Sequence, residues 1–136
     1  MNNSNPQIPN SVLKIKHFLF DKIQFDRIGF NNNNDISPAK ISVGIQHTDT
    51  HEYSVSLNVE VEKPDEYIAS VTIIGICELH DDTPNKDDIL NINAPAILYP
   101  YARAELSLIT AHPETTPLVL PVINFQALYE NSKNKI

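Results

Sequence analysis

Residues 93–131 read NAPAILYPYARAELSLITAHPETTPLVLPVINFQALYEN, and the order of elements in this stretch decides the fold. Asn93 is a candidate N-cap for a helix predicted from about Ala94 to about Ala111. Pro95 falls in the first turn, where its missing N–H costs little. Pro100 falls inside the helix. There it removes the donor for the Ala96 carbonyl and kinks the axis, at a cost of about 3 kcal/mol in an ordinary helix. Tertiary packing must therefore hold this helix in place.

The helical wheel indicates what packs on it. At about 100° per residue, Ile97, Tyr101, Ala104 and Leu108 cluster on one side, with Leu98, Ala102 and Ile109 beside them. Arg103, Ser107 and Thr110 share the polar remainder, and Glu105 interrupts the apolar arc. That arc covers roughly 200°, against a stripe of about 100° or more for a helix resting on one surface. Such a helix has two neighbours. One is its own sheet, and the other is expected to be the same helix of a second subunit, with Ile97, Leu98, Tyr101, Ala104 and Leu108 as the contact residues. The alternative is an internal helix of a monomer, but the other helix candidate, Asn124–Asn131, is too short to cover it. Between the two lies an apolar segment with Pro113, Pro117 and Pro121, too proline-rich for a ladder yet carrying Leu118, Val119, Leu120 and Val122. Phe125, Leu128 and Tyr129 then begin the short helix at apolar i, i+3, i+4 spacing.

Upstream, the chain reads as antiparallel strands. From His51 to Glu62, Tyr53, Val55, Leu57, Val59 and Val61 alternate with Ser54, Ser56, Asn58 and Glu60, so one face is buried and one is wet. Lys63-Pro64-Asp65-Glu66 is a turn into a partner strand from Tyr67 to Cys77. Ile41, Val43 and Ile45 alternate in a shorter strand that turns at Thr48-Asp49-Thr50. A first strand from Val12 to Phe25 places Leu13, Ile15, Leu19, Ile23 and Phe25 on one face and Phe18 and Phe20 on the other. Phe30 and the Asn31–Asn34 run form a long link to the second strand. Thr83-Pro84-Asn85 breaks the chain before the helix, and Asp87–Asn91 are expected to add a helical turn. Residues 1–10 are polar and are expected to be a disordered tail, leaving one domain over 11–136. The fold class is α+β: four antiparallel strands followed by two helices on one face.

Composition narrows the function. The formal net charge is -7 and no basic cluster exists, which argues against phosphate-neutralising contact with nucleic acid. No apolar run reaches membrane-spanning length, and the N-terminus lacks the pattern of a signal peptide, so a cytoplasmic protein without membrane insertion is expected. A catalytic reading finds little support. Gly29, Gly44 and Gly75 lie too far apart for a phosphate loop, and no nucleophile elbow is present. His47 and His51 flank a turn that holds Asp49, and Glu78, His80, Asp81 and Asp82 follow the last strand. Either group resembles a divalent-metal site, but both read more simply as solvated polar turns. Cys77 has no basic neighbour in sequence and reads as a small buried hydrophobe. No cofactor and no enzymatic activity are expected.

Two motifs carry a family resemblance. Pro95-Ala96-Ile97-Leu98-Tyr99-Pro100-Tyr101-Ala102-Arg103 resembles the C-P-x-x-L-F-P-Y-A-R signature of the SecB protein-export chaperones, with Ala94 in the cysteine position. The segment from Pro117 to Leu128 is similar to that family's P-x-L-x-L-x-P-V-N-F-x-A-L, with one extra residue before Asn124. Lys22-Ile23-Gln24-Phe25-Asp26 is similar to its first-strand D-I-S-F-E.

The resemblance implies a homotetramer, a dimer of dimers, and ATP-independent binding of unfolded preproteins in apolar grooves. Carried onto this chain, the client-binding residues are Phe30, Ile41, Val43, Ile45, Leu118, Leu120, Val122, Phe125, Leu128 and Tyr129. Adaptable apolar surface suits such clients, which expose greasy segments of no fixed sequence. The resemblance also implies docking of the translocase motor SecA on an acidic sheet face. Here Lys22 and Ser70 stand where two of those acids would be, leaving Asp26 and, as a substitute, Asp21. A SecB-like chaperone dedicated to one partner, such as an antitoxin, is the alternative role.

Overall fold

The computed structural model describes residues 12–30, 36–115 and 118–134. The expected tail over residues 1–10, the Asn31–Asn34 run and Pro117 lie outside these residues. Four strands form one antiparallel sheet: β1 (Lys14–Arg27), β2 (Lys40–Asp49), β3 (Glu52–Lys63) and β4 (Tyr67–Glu78), in the order β1-β4-β3-β2. β2, β3 and β4 form a meander, while β1 pairs with β4 at the far edge. The β1–β2 link must therefore cross the whole sheet, which explains its length. Its described ends both lie beside the β3–β4 turn, where the Ile28 and Gly29 N–H groups donate to the Glu66 carbonyl and the Ser37 N–H donates to the Glu62 carbonyl.

The alternation read in β3 is the pattern observed. Val55, Leu57, Val59 and Val61 are buried under the helices, opposite Val71, Ile73 and Ala69 of β4. Ile41, Val43 and Ile45 extend the same face onto β2. β1 departs from the sequence reading. Register shifts between Ile15 and His17 and between Phe20 and Lys22 each insert a residue and flip the side-chain parity. Phe18 and Phe20 consequently oppose Gly75 and Ile73 on the helix side, whereas Leu19 opposes Ile74 on the outer side. The expected grouping of Leu19 with Ile15 and Ile23 is thus corrected by two bulges that no periodicity reveals.

The helical turn expected over Asp87–Asn91 and the main helix expected from Ala94 are both present, but they join into one continuous rod. A short α1 (Lys86–Asp88) begins after Asn85, which adopts a left-handed φ of 58° that asparagine tolerates. Residues Ile89–Asn93 widen to π geometry, the Ala94 N–H donating to the Ile89 carbonyl, and run directly into α2 (Ala94–Ile109). Asn93 is itself helical, with φ -73° and ψ -43°, and caps nothing. Pro95 follows at once, and its ring would press on the carbonyl four residues back in a tight α-turn. The wider turn relieves that contact. Asn124 is the cap of α3 (Phe125–Lys133), its side-chain oxygen accepting the Ala127 N–H at 3.0 Å.

α2 crosses β3 and β4 with Leu98, Ala102 and Leu106 fully buried. A Cβ added at Gly75 would sit 3.1 Å from Leu98 Cδ2, so the missing side chain lets the helix close on the sheet. Gly29 is tighter still, since a Cβ there would lie 2.3 Å from the Asp65 carbonyl oxygen. Gly29→Ala must shift backbone and is expected to cost about 2 kcal/mol in chemical denaturation. Gly44→Ala, whose Cβ would meet only Ser56 Cβ at 3.9 Å, is the near-neutral control. Beside this wedge, Lys63 Nζ lies 2.6 Å from Glu66 Oε1, an ion pair shut inside the β3–β4 turn.

Candidate functional site

A groove of about 700 Å³ runs between the helix-facing side of β2 and α3. Ile41 and Val43 form its floor, and Leu128 and Tyr129 form its wall. Asn91, from the π segment, reaches the same space, and Ser132 and Asn134 add polar rim. Of the ten residues expected to meet clients, the structure brings these four apolar ones together. Ile45 lies further along the same face of β2 and packs against the core. Phe30 stands at the end of β1, 80% exposed, under the Arg27 guanidinium.

Three of the expected residues are elsewhere. Leu118, Leu120 and Phe125 are only 3%, 4% and 4% exposed and belong to the core. They pin the returning segment onto α2, and polar contacts fix its register. The Thr110 hydroxyl donates to the Leu106 carbonyl and accepts the Leu118 N–H at 2.9 Å. Ser107 Oγ donates to the Leu118 carbonyl, and Tyr99 Oη donates to the Pro121 carbonyl at 2.7 Å. With Leu118 and Leu120 turned inward, Val119 and Val122 are turned outward, Val122 being 85% exposed. Sequence reasoning counts Val119 as apolar but does not place it among the residues expected to meet clients, although it is 74% exposed. Period-two alternation across Pro-Leu-Val-Leu-Pro is the signal that could have found it.

α2 thus has three environments. One side rests on the sheet, a second carries the returning segment, and a third is open. The open stripe holds Ile97, Tyr101, Ala104 and Leu108, spaced one helical turn apart. Leu98 is not part of it, because its position one residue on turns it into the sheet. Phe18 and Ile23 of β1 continue the open apolar surface, the Phe18 and Tyr101 rings lying 4.4 Å apart. On the opposite face of the sheet, Asp26 accepts a hydrogen bond from Gln24 Nε2 at 2.6 Å, and Asp21 occupies the second β1 bulge.

The two histidine–carboxylate groups seen in the sequence meet in space. Asp81 accepts from Tyr53 Oη at 2.6 Å and from the His51 N–H at 3.1 Å, and lies 3.2 Å from His47 Nε2. His51, at φ 58°, accepts the Asp81 N–H on Nδ1 and stacks on His80 at 3.8 Å. Among the described residues, no three His, Cys, Asp or Glu side chains are arranged to hold a metal ion. The cluster fastens the β2–β3 turn to the connection between β4 and α1. The Tyr53 hydroxyl, donating to the Asp81 carboxylate, holds its pKa below the ordinary 3.8. This stabilisation is therefore complete above the unfolded carboxylate value and is lost as pH falls through the lower native one. Thermal unfolding below about pH 4 is expected to show it: the gap between the parent and Asp81→Asn closes as the solution is acidified. Burial raises the Cys77 thiol to about 11, consistent with an inert core residue.

No helix among the described residues is long and apolar enough to cross a membrane. A family profile described as preprotein translocase subunit SecB matches residues 2–135. The protein-export protein SecB of Dichelobacter nodosus is 34% identical over 103 residues, covering 67% of this chain and 66% of that protein. Its counterpart in Anaplasma marginale (strain Florida) is 29% identical over 119 residues, covering 79% and 68%. The protein-export protein SecB of Anaplasma phagocytophilum is 33% identical over 86 residues, and the chain spans 54% of its length. In structure, the chain is similar to a Mycobacterium tuberculosis SecB-like chaperone solved in complex with a ChAD peptide from the HigA1 antitoxin. The TM-score is 0.68 at 14% identity, covering 82% of this chain and 90% of that one. By a sequence match that runs almost from end to end, and by a fold in which the signature helix and the proline segment pack against each other, this chain belongs to the SecB family.

Proposed function

We propose that this protein is an ATP-independent holdase that captures non-native polypeptides, preproteins bound for export foremost, and works as a cytoplasmic dimer of dimers without catalysis. The observation that carries this reading is the apolar groove between β2 and α3, open to solvent and walled by Ile41, Val43, Leu128 and Tyr129. An unfolded chain offers apolar side chains at irregular intervals, and these four residues accept them without demanding sequence, while Ser42, Asn91, Asn131, Ser132 and Asn134 line the rest of the groove and can meet the client backbone. The open stripe of α2 supports self-association, because a continuous apolar face spanning Phe18, Ile23, Ile97, Tyr101 and Leu108 is large for a lone subunit. The test is to reduce lysozyme with a thiol in the presence of the protein and follow turbidity, with solution mass measured by light scattering. Suppressed turbidity and a tetramer mass are expected; full turbidity at a molar excess of tetramer would rule the holdase out.

A second reading, service to one dedicated partner such as an antitoxin, has its own support. Lys22 and Ser70 replace acids on the sheet face that would receive SecA, leaving Asp21 and Asp26. The structural relative was solved with an antitoxin peptide. SecA titrated against the immobilised protein separates the two readings: measurable binding favours export delivery, and its absence favours the dedicated role.

A further inference from the structure

We propose that Arg27 is a positioning residue that presents Phe30 to apolar segments of a bound polypeptide and, through one guanidinium, ties the end of β1 to Thr115 in the segment that follows α2. The inference rests on the holdase reading. Arg27 is the last residue of β1, opposite Tyr67 on the helix side of the sheet. Its guanidinium reaches in three directions. Nη1 donates to the Gly29 carbonyl at 2.8 Å, Nη2 donates to the Thr115 hydroxyl, and the group lies 4.9 Å from the centroid of the Phe30 ring. The Thr115 hydroxyl in turn faces the Pro113 carbonyl. Thr115 belongs to the segment that leaves α2 and goes on to the outward-facing Val119 and Val122.

The backbone beneath Phe30 is held by more than Arg27. Ile28 and Gly29 donate to the Glu66 carbonyl at 2.9 and 3.2 Å, and Gly29 is wedged on Asp65 with no room for a Cβ. What this leaves undetermined is the ring itself. An exposed phenylalanine samples several rotamers, and ordering it on capture costs part of the binding energy. A cation over an exposed ring favours the covered rotamer roughly two- to fivefold. That is too little to matter to the fold, but it is enough to bias the ring before a client arrives. Lysine could not serve equally, because its single ammonium cannot hold a carbonyl, a hydroxyl and a ring face in one planar fork.

The chain has no tryptophan, so Phe30→Trp gives a single-site reporter. Its anisotropy and emission are to be compared in the Phe30→Trp protein and in the Phe30→Trp, Arg27→Gln double variant. Separately, affinity for fluorophore-labelled, reduced and alkylated lysozyme is to be compared between the unsubstituted protein, Arg27→Gln, Arg27→Lys and Thr115→Val. The expected result is lower anisotropy on loss of Arg27 and affinity weakened about fivefold in Arg27→Gln and Arg27→Lys. Thr115→Val, which removes one hydroxyl from a folded chain, should give a smaller loss. Unchanged anisotropy overturns the inference, and so does lower anisotropy with unchanged affinity, since the contact is then only structural. Absence of client binding by the unsubstituted protein instead overturns the holdase reading itself, and is recognised before any variant is made.

Discussion

Tyr101→Asp is expected to give a folded protein of lower mass. The ring lies on the open stripe of α2, half-exposed in the single subunit and in contact with Phe18. In an isolated chain an aspartate there faces water and costs little. In a helix-to-helix interface it would be buried in each copy, and the effective penalty for a desolvated carboxylate is several kcal/mol per ion. By two-fold symmetry the penalty is paired. Leu108→Asp, further along the same stripe, should act in the same way. Light scattering is expected to report a dimer or monomer for both variants, with the far-ultraviolet circular dichroism of the parent. Leu98→Asp is the contrasting change. That side chain is fully buried against Gly75 of its own subunit, so unfolding rather than dissociation is expected. A tetramer mass retained by both Tyr101→Asp and Leu108→Asp would refute the assignment of this stripe as the interface.

The contrast between Leu98 and Tyr101 shows how far the sequence could be read. A wheel places residues around a helix, but it does not say which part of a wide apolar arc meets the chain's own sheet. Ile97 and Leu98 differ by one residue and about 100° of rotation, and only the close approach to Gly75 decides between them. β3 was legible because strict alternation survives from Tyr53 to Val61, and β4 because the Lys63–Glu66 turn hands the chain back as its antiparallel partner, although Ile68, Ile74 and Ile76 blur its own alternation. β1 was not, because its two bulges leave no mark in the composition around His17 or Asp21. The start of the helical rod was hidden by Pro95. A proline two residues after Asn93 looks like a first turn, and the π segment that lets the helix run through it has no sequence signature. The motifs around Pro95 and Pro121 identified the family regardless, since they depend on residue identity and not on which way a side chain points.

The same limit governs the second large effect expected, in the segment between α2 and α3. Leu120→Asp would place a carboxylate where a leucine is 4% exposed, beneath a segment fastened to Ser107, Thr110 and Tyr99. Losing the buried leucine costs about 2 kcal/mol and desolvating the charge several more. Together these approach the whole stability of an ordinary domain, about 5–15 kcal/mol. Leu120→Asp and Phe125→Asp are therefore expected to unfold the C-terminal third of the chain, and their loss of activity would say nothing about client binding. Val122→Asp is the informative change. Its side chain is 85% exposed, so stability should hold within about 0.5 kcal/mol. Combined with Tyr129→Asp at the groove wall, it sets charges on two surfaces proposed to meet apolar segments. Affinity for denatured lysozyme is expected to fall about thirtyfold in the double variant, with suppression of its aggregation lost accordingly, since each of the two apolar side chains withdrawn from a client weakens capture by about 1 kcal/mol. Full activity of that variant, with an unchanged melting temperature, would move the client surface away from α3 and the returning segment. The open edge of β2 and the Phe30 arm would then be the surfaces left to carry it.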